Sequence, residues 1–300
     1  GEAATLNNIG AAWIDLGEPR KALDYYEQAL PLYRAVGDRR GEATTLASIG
    51  KVWDDLGEKG KALDYYEQAL PLLRAVGDRR GEASALSNIG TVWDTLGKLR
   101  KALEYYEQAL PLRRMVEDRG GEAATLTNIG MAWNNLGEKL KALEYFAQAL
   151  PIFRAVINRR GEAAALNNIG GTWAALGDTQ KALSYYEQAL PIQRAVDDRG
   201  GEATTLNNMG VNYVKNGDFT EALATFQQII PIVHAMGAIT SEALFLANIA
   251  VVYTQMGQIR NAIQSAEAAK AILVRYNLPQ DAGGQRVADY DALLTRLRGQ

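Results

Sequence analysis

One histidine, His234, and no cysteine make up the whole supply of imidazole and thiol in this 300-residue chain. A nucleophilic triad needs a nucleophile, a base and an orienting group held in contact. His234 has no cysteine partner and no evident acidic orienter. One histidine among scattered carboxylates would hold a metal weakly, and no GxxxxGK[ST] phosphate loop is present. The expectation is a protein without catalysis, metal or cofactor. What recurs instead is a carboxamide: Asn8, Asn88, Asn128, Asn168, Asn208 and Asn248 lie in register at a period of 40, and Ser48 breaks the series. Asparagine is a mediocre helix former because its amide competes with the backbone for hydrogen bonds. An amide offers a donor and an acceptor, so a row of them can pair with successive N–H and C=O groups of an extended peptide, whatever its side chains. The alternative is that they bond neighbouring helices or solvent.

The elements that would position these amides follow from an internal repeat. KALDYYEQALPL at 21–32 returns at 61–72, with near-copies at 101–112, 141–152 and 181–192. Repeats start at residues 1, 41, 81, 121, 161, 201 and 241, the last two diverged, and 281–300 falls outside. In each repeat, Leu6, Ile9, Gly10, Trp13 and Leu16 and their copies mark one amphipathic helix. Ala22, Leu23, Tyr26, Ala29, Leu30 and Tyr33 mark a second. Gly17 closes the first helix, and Asp178 and Asp218 are N-caps for the second, with Pro19 in a tolerated first-turn place. Asp38 caps the next repeat's first helix. Helices are predicted near 39–56 and 59–76 and at the same places in every repeat. Pro31 faces solvent, so the second helix bends and continues to about Val36.

A lone helix pair cannot cover its apolar face, and stacking buries a continuous core. The fold class is therefore all-α, a solenoid of seven helix-turn-helix repeats over 1–280 with a capping helix in 281–300 built on Val287, Tyr290, Leu293, Leu294 and Leu297. A mid-helix glycine costs about 1 kcal/mol relative to alanine, yet six repeats have one at the place of Gly10 and the seventh has Ala250; close packing would explain it. Nothing comparable to a cap precedes residue 1. The chain starts mid-pattern without Met, which reads as a piece of something longer with an end face able to stack on another molecule.

The bulk numbers agree with a soluble repeat protein. The chain is 47 % apolar and 22 % charged, with a net charge of −3, so nothing pulls it globally toward nucleic acid or an anionic membrane. No apolar run reaches the roughly 18 residues of a membrane span. The lack of cysteine suits a reducing cytoplasm.

Repeats 1 and 2 match at 31 of 40 positions, and six of the nine differences (4, 7, 8, 11, 12 and 14) fall on the first helix. Positions 4, 8, 11 and 15 make one stripe opposite the core stripe, so the helix is packed on one side and varied on the other. Along the stripe lie Asp15, Lys51, Asp54, Asp55 and Asp94, then Met131, Asn134 and Asn135. Gly171, Ala174, Ala175, Val211, Val214, Lys215 and Val251 follow. An acidic end and an apolar end suggest a partner segment with basic residues at one end and apolar ones at the other.

The small-and-large pattern of Gly10, Trp13, Gly17, Ala22, Tyr26 and Ala29 resembles tetratricopeptide repeats, over about 1–280. The 40-residue length departs from that family's commoner 34 and is similar to its long-repeat branch, with kinesin light chain and the Leu-Gly-Asn-repeat spindle-orientation adaptor. The wording GDRRGEA…LNNIG…ALDYYEQALPL is similar to arrays in large bacterial, especially cyanobacterial, proteins, beside nucleotidase-type switch or caspase-like protease domains. The resemblance implies a right-handed superhelix whose first helices line a concave groove that binds extended peptides. Carried over by position, the groove residues are Asn8, Asn88, Asn128, Asn168, Asn208 and Asn248, with Asp15, Lys51, Asp55, Met131, Asn135 and Lys215 setting specificity. The leading expectation is a cytoplasmic protein-interaction scaffold. The alternative is a sensor in which a peptide or small molecule tightens the array and switches an attached effector. Recurrent arginines, at 34, 74, 114, 154 and 194 and in the loops, could touch phosphates; their acidic neighbours favour ion pairing between repeats. Trp13, Trp53, Trp93, Trp133 and Trp173 belong to the core stripe, not to a stacking platform, and Tyr25 and its copies read as contacts between repeats.

Overall fold

The computed structural model describes residues 1–299. It contains fifteen helices and no strand among the described residues. Two compact halves, Gly1–Ile157 and Asn158–Gln300, divide the chain. In the first half the helices are α1 (Glu2–Asp15), α2 (Pro19–Val36), α3 (Arg39–Asp55), α4 (Lys59–Ala75), α5 (Arg79–Thr95), α6 (Leu99–Met115), α7 (Arg119–Asn135) and α8 (Lys139–Ala155). The second half holds α9 (Arg159–Ala175), α10 (Thr179–Ala195), α11 (Arg199–Asn216), α12 (Phe219–Ala235), α13 (Ile239–Gln255), α14 (Ile259–Arg275) and α15 (Val287–Arg298). In each half an odd-numbered helix packs on the following even one to form a repeat, and that pair packs on the next.

Local signals set the helix ends. Asp38, Asp78, Asp118, Asn158 and Asp198 each accept a hydrogen bond from the backbone N–H three residues on, at 2.9–3.0 Å, which satisfies one orphan donor of the first turn. Asp178 caps α10 in the same way, through Lys181 N–H at 3.0 Å. Asp218 does not cap α12: its carboxylate accepts from Asn216 Nδ2 at 2.6 Å instead. The turn after α3 is left-handed at Gly57, φ 84°, where only glycine is free of Cβ strain. The turn after each even helix holds Gly37, Gly77 and Gly237, but also Glu117, Ile157, Asp197 and Asn277, at φ 49–55°. Those four side chains sit in a strained region. Pro31 and its copies at 71, 111, 151, 191 and 231 are exposed, and their helices run through them.

The core sits within and between repeats. In the first half, Ala22, Leu23 and Tyr26 of α2 bury Ile49 and Val52 of α3, with Tyr65 of α4 against the same cluster. Burying one such aliphatic side chain stabilises by about 1.5–3 kcal/mol. Position 12 of the repeat (Val52, Val92, Ala132, Thr172, Asn212, Val252) is buried, so it belongs to the packed side although it differs between repeats 1 and 2. Leu16 is the opposite correction: it is 69 % exposed, not core; its copies Leu56 and Leu136 pack on the second helix of the preceding repeat, and no such helix lies before α1 among the described residues. The mid-helix glycines are required. A Cβ on Gly90 would lie 2.6 Å from the Tyr106 ring, and one on Gly130 would lie 2.6 Å from Phe146. In the last repeat Ala250 faces Ala266, so both partners have changed together.

Charged seams join successive repeats. Arg74 of α4 and Arg79 of α5 both reach the buried Glu82 carboxylate, at 2.7 and 2.8 Å. Arg114 and Arg119 do the same to Glu122. Burial alone would raise the pKa of Glu82 and Glu122, but the arginine hydrogen bonds and charges outweigh it and hold both below the usual carboxylate range. Arg34–Glu42 and Arg194–Glu202 complete the pattern at 2.7 and 2.6 Å. His234 takes the arginine's place between α12 and α13. Its Nδ1 lies 3.0 Å from Glu242, so it does have an acidic partner, contrary to the reading of the sequence. Each tryptophan is half-buried beneath a lysine: Lys21, Lys61, Lys101, Lys141 and Lys181 sit 4.0–4.4 Å above Trp13, Trp53, Trp93, Trp133 and Trp173. Such pairs are worth about 0.5–1 kcal/mol near a surface.

Helix α15 packs on α14 and buries Tyr290, Leu294 and Leu297. It begins at Val287, not at 281. Residues 281–286 form a loop tied by the buried Asp281 carboxylate, which accepts from Gly283 N–H, Gln285 N–H and the Tyr290 hydroxyl. The Tyr290 hydroxyl is pushed far up in pKa by burial and by Asp281. Gln300 lies outside the described residues.

Candidate functional site

The odd-numbered helices position the candidate residues. Repeat positions 3, 6, 9 and 10 turn inward, so positions 4, 8, 11 and 15 are left outward on the same helix. In the first half Asn8 is exposed and Asn88 and Asn128 are half-buried; in the second half Asn168, Asn208 and Asn248 are half-buried. None of the six is sealed in the core. Two of the amides are engaged. Asn88 hydrogen-bonds the Tyr66 hydroxyl, and Asn208 Nδ2 donates to Asn167 Oδ1 at 3.3 Å. Among the described residues the side-chain amides of Asn8, Asn128, Asn168 and Asn248 have no hydrogen-bond partner. Ser48, where the series breaks, bonds the Tyr26 hydroxyl.

The charged candidates of the first half are mostly balanced. Lys51 and Asp55 pair with each other, one helical turn apart, at 3.3 Å. Asp54 is held by Lys59, and Asn134 by Lys139 at 3.0 Å. Asp94 occupies the place of Asp54, but the residue five further on is Leu99 where Asp54 has Lys59. Burial beside it raises the Asp94 carboxyl above its ordinary pKa. Asp15, Met131 and Asn135 are exposed.

In the second half the structure brings several candidates together. Val211, Val214 and Lys215 of α11, Asn248, Val251 and Val252 of α13, and Phe226 of α12 line one cleft of about 170 Å³. It is apolar, with one ammonium and one amide among its lining groups. Drug-sized ligand pockets run about 300–1,000 Å³; this cleft holds a single large side chain.

The tyrosine hydroxyls of the even helices also belong to this face, which the apolar period of those helices does not signal. Tyr26, Tyr66, Tyr106 and Tyr186 have buried rings, and their phenol oxygens reach the odd-helix face. Burial pushes the Tyr106 and Tyr186 hydroxyls up to about 12. Tyr106 donates to Thr91 Oγ1 at 3.2 Å. The available signal was the exchange of Tyr for Phe at 146 and 226, where Met131 and Val211 replace polar neighbours. Polar bridges also run between successive odd helices: Thr45 donates to Asn7 Oδ1 at 3.0 Å, and Thr205 to Asn167 Oδ1 at 3.1 Å.

Among the described residues no group of three or more His, Cys, Asp or Glu side chains is arranged to hold a metal. Among the described residues no helix is long and apolar enough to cross a membrane. A search of curated proteins returns no match. Solved structures do match in fold. The Signal Transduction ATPase with Numerous Domains protein with a tetratricopeptide repeat sensor, from Pyrococcus horikoshii, gives a TM-score of 0.78 at 16% identity, covering 99% of this chain and 44% of that one. A Rap protein complexed with Competence and Sporulation Factor gives 0.59 at 16% identity, covering 99% and 98%. BtubC (BKLC) from P. vanneervenii gives 0.64 at 19% identity, covering 74% and 90%. At these identities the likeness speaks for the fold alone. The sequence model of the tetratricopeptide repeat matches residues 1–75, 61–115, 81–155, 121–195 and 161–234. With its core glycines, aromatic partners and paired helices repeating in that frame, the chain belongs to the tetratricopeptide repeat family.

Proposed function

We propose that this protein is an interaction module that binds an extended peptide segment along the exposed face of its odd-numbered helices. One observation carries the reading: that face presents half-buried amides at Asn128, Asn168 and Asn248 with no internal partner, while the opposite face of the same helices is spent on packing. Half-buried unpaired amides favour a ligand that supplies both a donor and an acceptor. In the first half, Asp15 and Asp94 suit a basic residue of the partner. In the second half the cleft beside Lys215 and Asn248 suits one bulky apolar side chain.

The test is calorimetry with a peptide selected on the chain from a phage-displayed library of random dodecapeptides. Replacing Asn128 and Asn168 together by alanine removes two backbone-pairing groups and lowers affinity by about tenfold or more. Unchanged affinity contradicts the proposal. A second reading, a ligand-gated sensor, draws on the repeat sensor of the Pyrococcus horikoshii protein and the factor-bound Rap protein. A sensor contracts on binding in small-angle scattering, and a rigid scaffold keeps its radius of gyration.

A further inference from the structure

Gly170 and Gly171 are adjacent in α9, and only the first is explained by packing. A Cβ on Gly170 would lie 2.6 Å from the Tyr186 ring, whereas one on Gly171 would meet a single atom, the Tyr186 hydroxyl oxygen, at an ordinary 3.7 Å. Gly171 has no left-handed φ to excuse it. Glycine in a helix interior is less favourable than alanine, so the fold carries a cost here that its own packing does not require.

The hydroxyl beneath Gly171 is the second observation. Tyr186 is 1 % exposed. Its three counterparts each have a partner: Tyr26 has Ser48, Tyr66 has Asn88 and Tyr106 has Thr91. Tyr186 has none among the described residues; Asn208, which stands where Asn88 does, is turned to Asn167. Beneath Met131 and Val211, at the place of Gly171, the ring is phenylalanine and has no hydroxyl to satisfy; beneath Ala11 it is Tyr26, whose hydroxyl has Ser48. Among the described residues, only at α9 does a tyrosine with a buried ring lack both a hydroxyl partner and a covering side chain. The Tyr186 ring is buried, but its hydroxyl is not sealed from solvent, so an acceptor arriving from outside can take the place of water there.

We propose that Gly171 and Tyr186 form a notch in which the Tyr186 hydroxyl donates to a backbone carbonyl of an extended peptide lying on α9. The missing side chain lets the ligand's main chain approach the helix closely, and the free Asn168 amide one turn earlier pairs with the neighbouring peptide group. This rests on the peptide-binding function proposed above and fixes where the main chain comes nearest.

The experiment uses the full chain and library-selected dodecapeptides, with thermal melting measured on every variant. Gly171→Ala raises the melting temperature by roughly 1–3 °C and weakens binding. Tyr186→Phe leaves melting unchanged and weakens binding about fivefold. Gly171→Met, which fills the gap, weakens it further. Two results overturn the notch. One is a lower melting temperature for Gly171→Ala, which would assign the glycine to packing. The other is full affinity in Gly171→Ala and Tyr186→Phe for a peptide that Asn168→Ala weakens, which leaves the peptide-binding face standing without it. A peptide indifferent to Asn168→Ala as well overturns the face itself, and the notch with it.

Discussion

The joint between α6 and α7 and the joint between α12 and α13 hold repeats together with different chemistry. At the first, Glu122 is buried and bonded by Arg114 and Arg119, and the small Ala109, Thr125 and Ala132 are buried along with Leu103, Tyr106 and Ile129. At the second, His234 replaces the cross-repeat arginine and Glu242 is less buried. The core there is larger, with Ile229 in the place of Ala109 and Phe245 in the place of Thr125, in a cluster with Phe226, Ile232, Val233 and Ile249. The comparison teaches that the seam of this array is one task with two solutions. A doubly bonded buried carboxylate fixes the joint with the smaller side chains at positions 29 and 5, and a larger core accompanies the weaker, more exposed pair at the other.

The largest test of that comparison removes both arginines. Arg114→Ala with Arg119→Ala strands the Glu122 carboxylate and costs about 3–5 kcal/mol in urea unfolding. His234→Ala at the other joint costs under about 0.5 kcal/mol, as expected for an exposed pair. Equal losses would break the comparison. Gly90→Leu forces a side chain into the Tyr106 ring and costs about 1–3 kcal/mol or more; an unchanged melting curve would refute the packing. Ile157→Gly relieves a β-branched residue at φ 55° and stabilises by about 1 kcal/mol in the same assay. The smallest effect is set by pH. Glu82 and Glu122 have folded pKa values below their unfolded ones, so their contribution is complete above about pH 4.3 and is lost as pH falls through the folded values. Stability therefore declines in acid. The decline is reduced in Glu82→Gln with Glu122→Gln, as read by melting between neutral pH and acid.

Much of this was legible in the sequence because it is local. The 3.6-residue spacing marked α3 and α4 within a residue of their ends, and Asp38 and Asp178 announced their caps. What lay across a turn was harder. Glu242 stands eight residues after His234 in the next helix, as Glu82 stands after Arg74, and intrahelical periodicity does not register that spacing. Asp218 looked like a cap, yet a competing amide two residues earlier takes its carboxylate. Leu16 fitted the apolar period but lacks the preceding second helix on which Leu56 and Leu136 pack. Position 12 varies and is nonetheless buried, since Val52, Thr172 and Asn212 all fit one packed site. The odd-helix stripe was legible as a varied face. The tyrosine hydroxyls beneath it were not, because a residue that packs by its ring was read only as core.

Hydrogen–deuterium exchange on the full chain, with and without a selected dodecapeptide, reads directly whether the odd-helix face takes the ligand. Added protection is expected on the odd-numbered helices around Asn128, Asn168 and Asn248. Protection confined to the even-numbered helices or to the loops around Arg39 and Arg159 would contradict it.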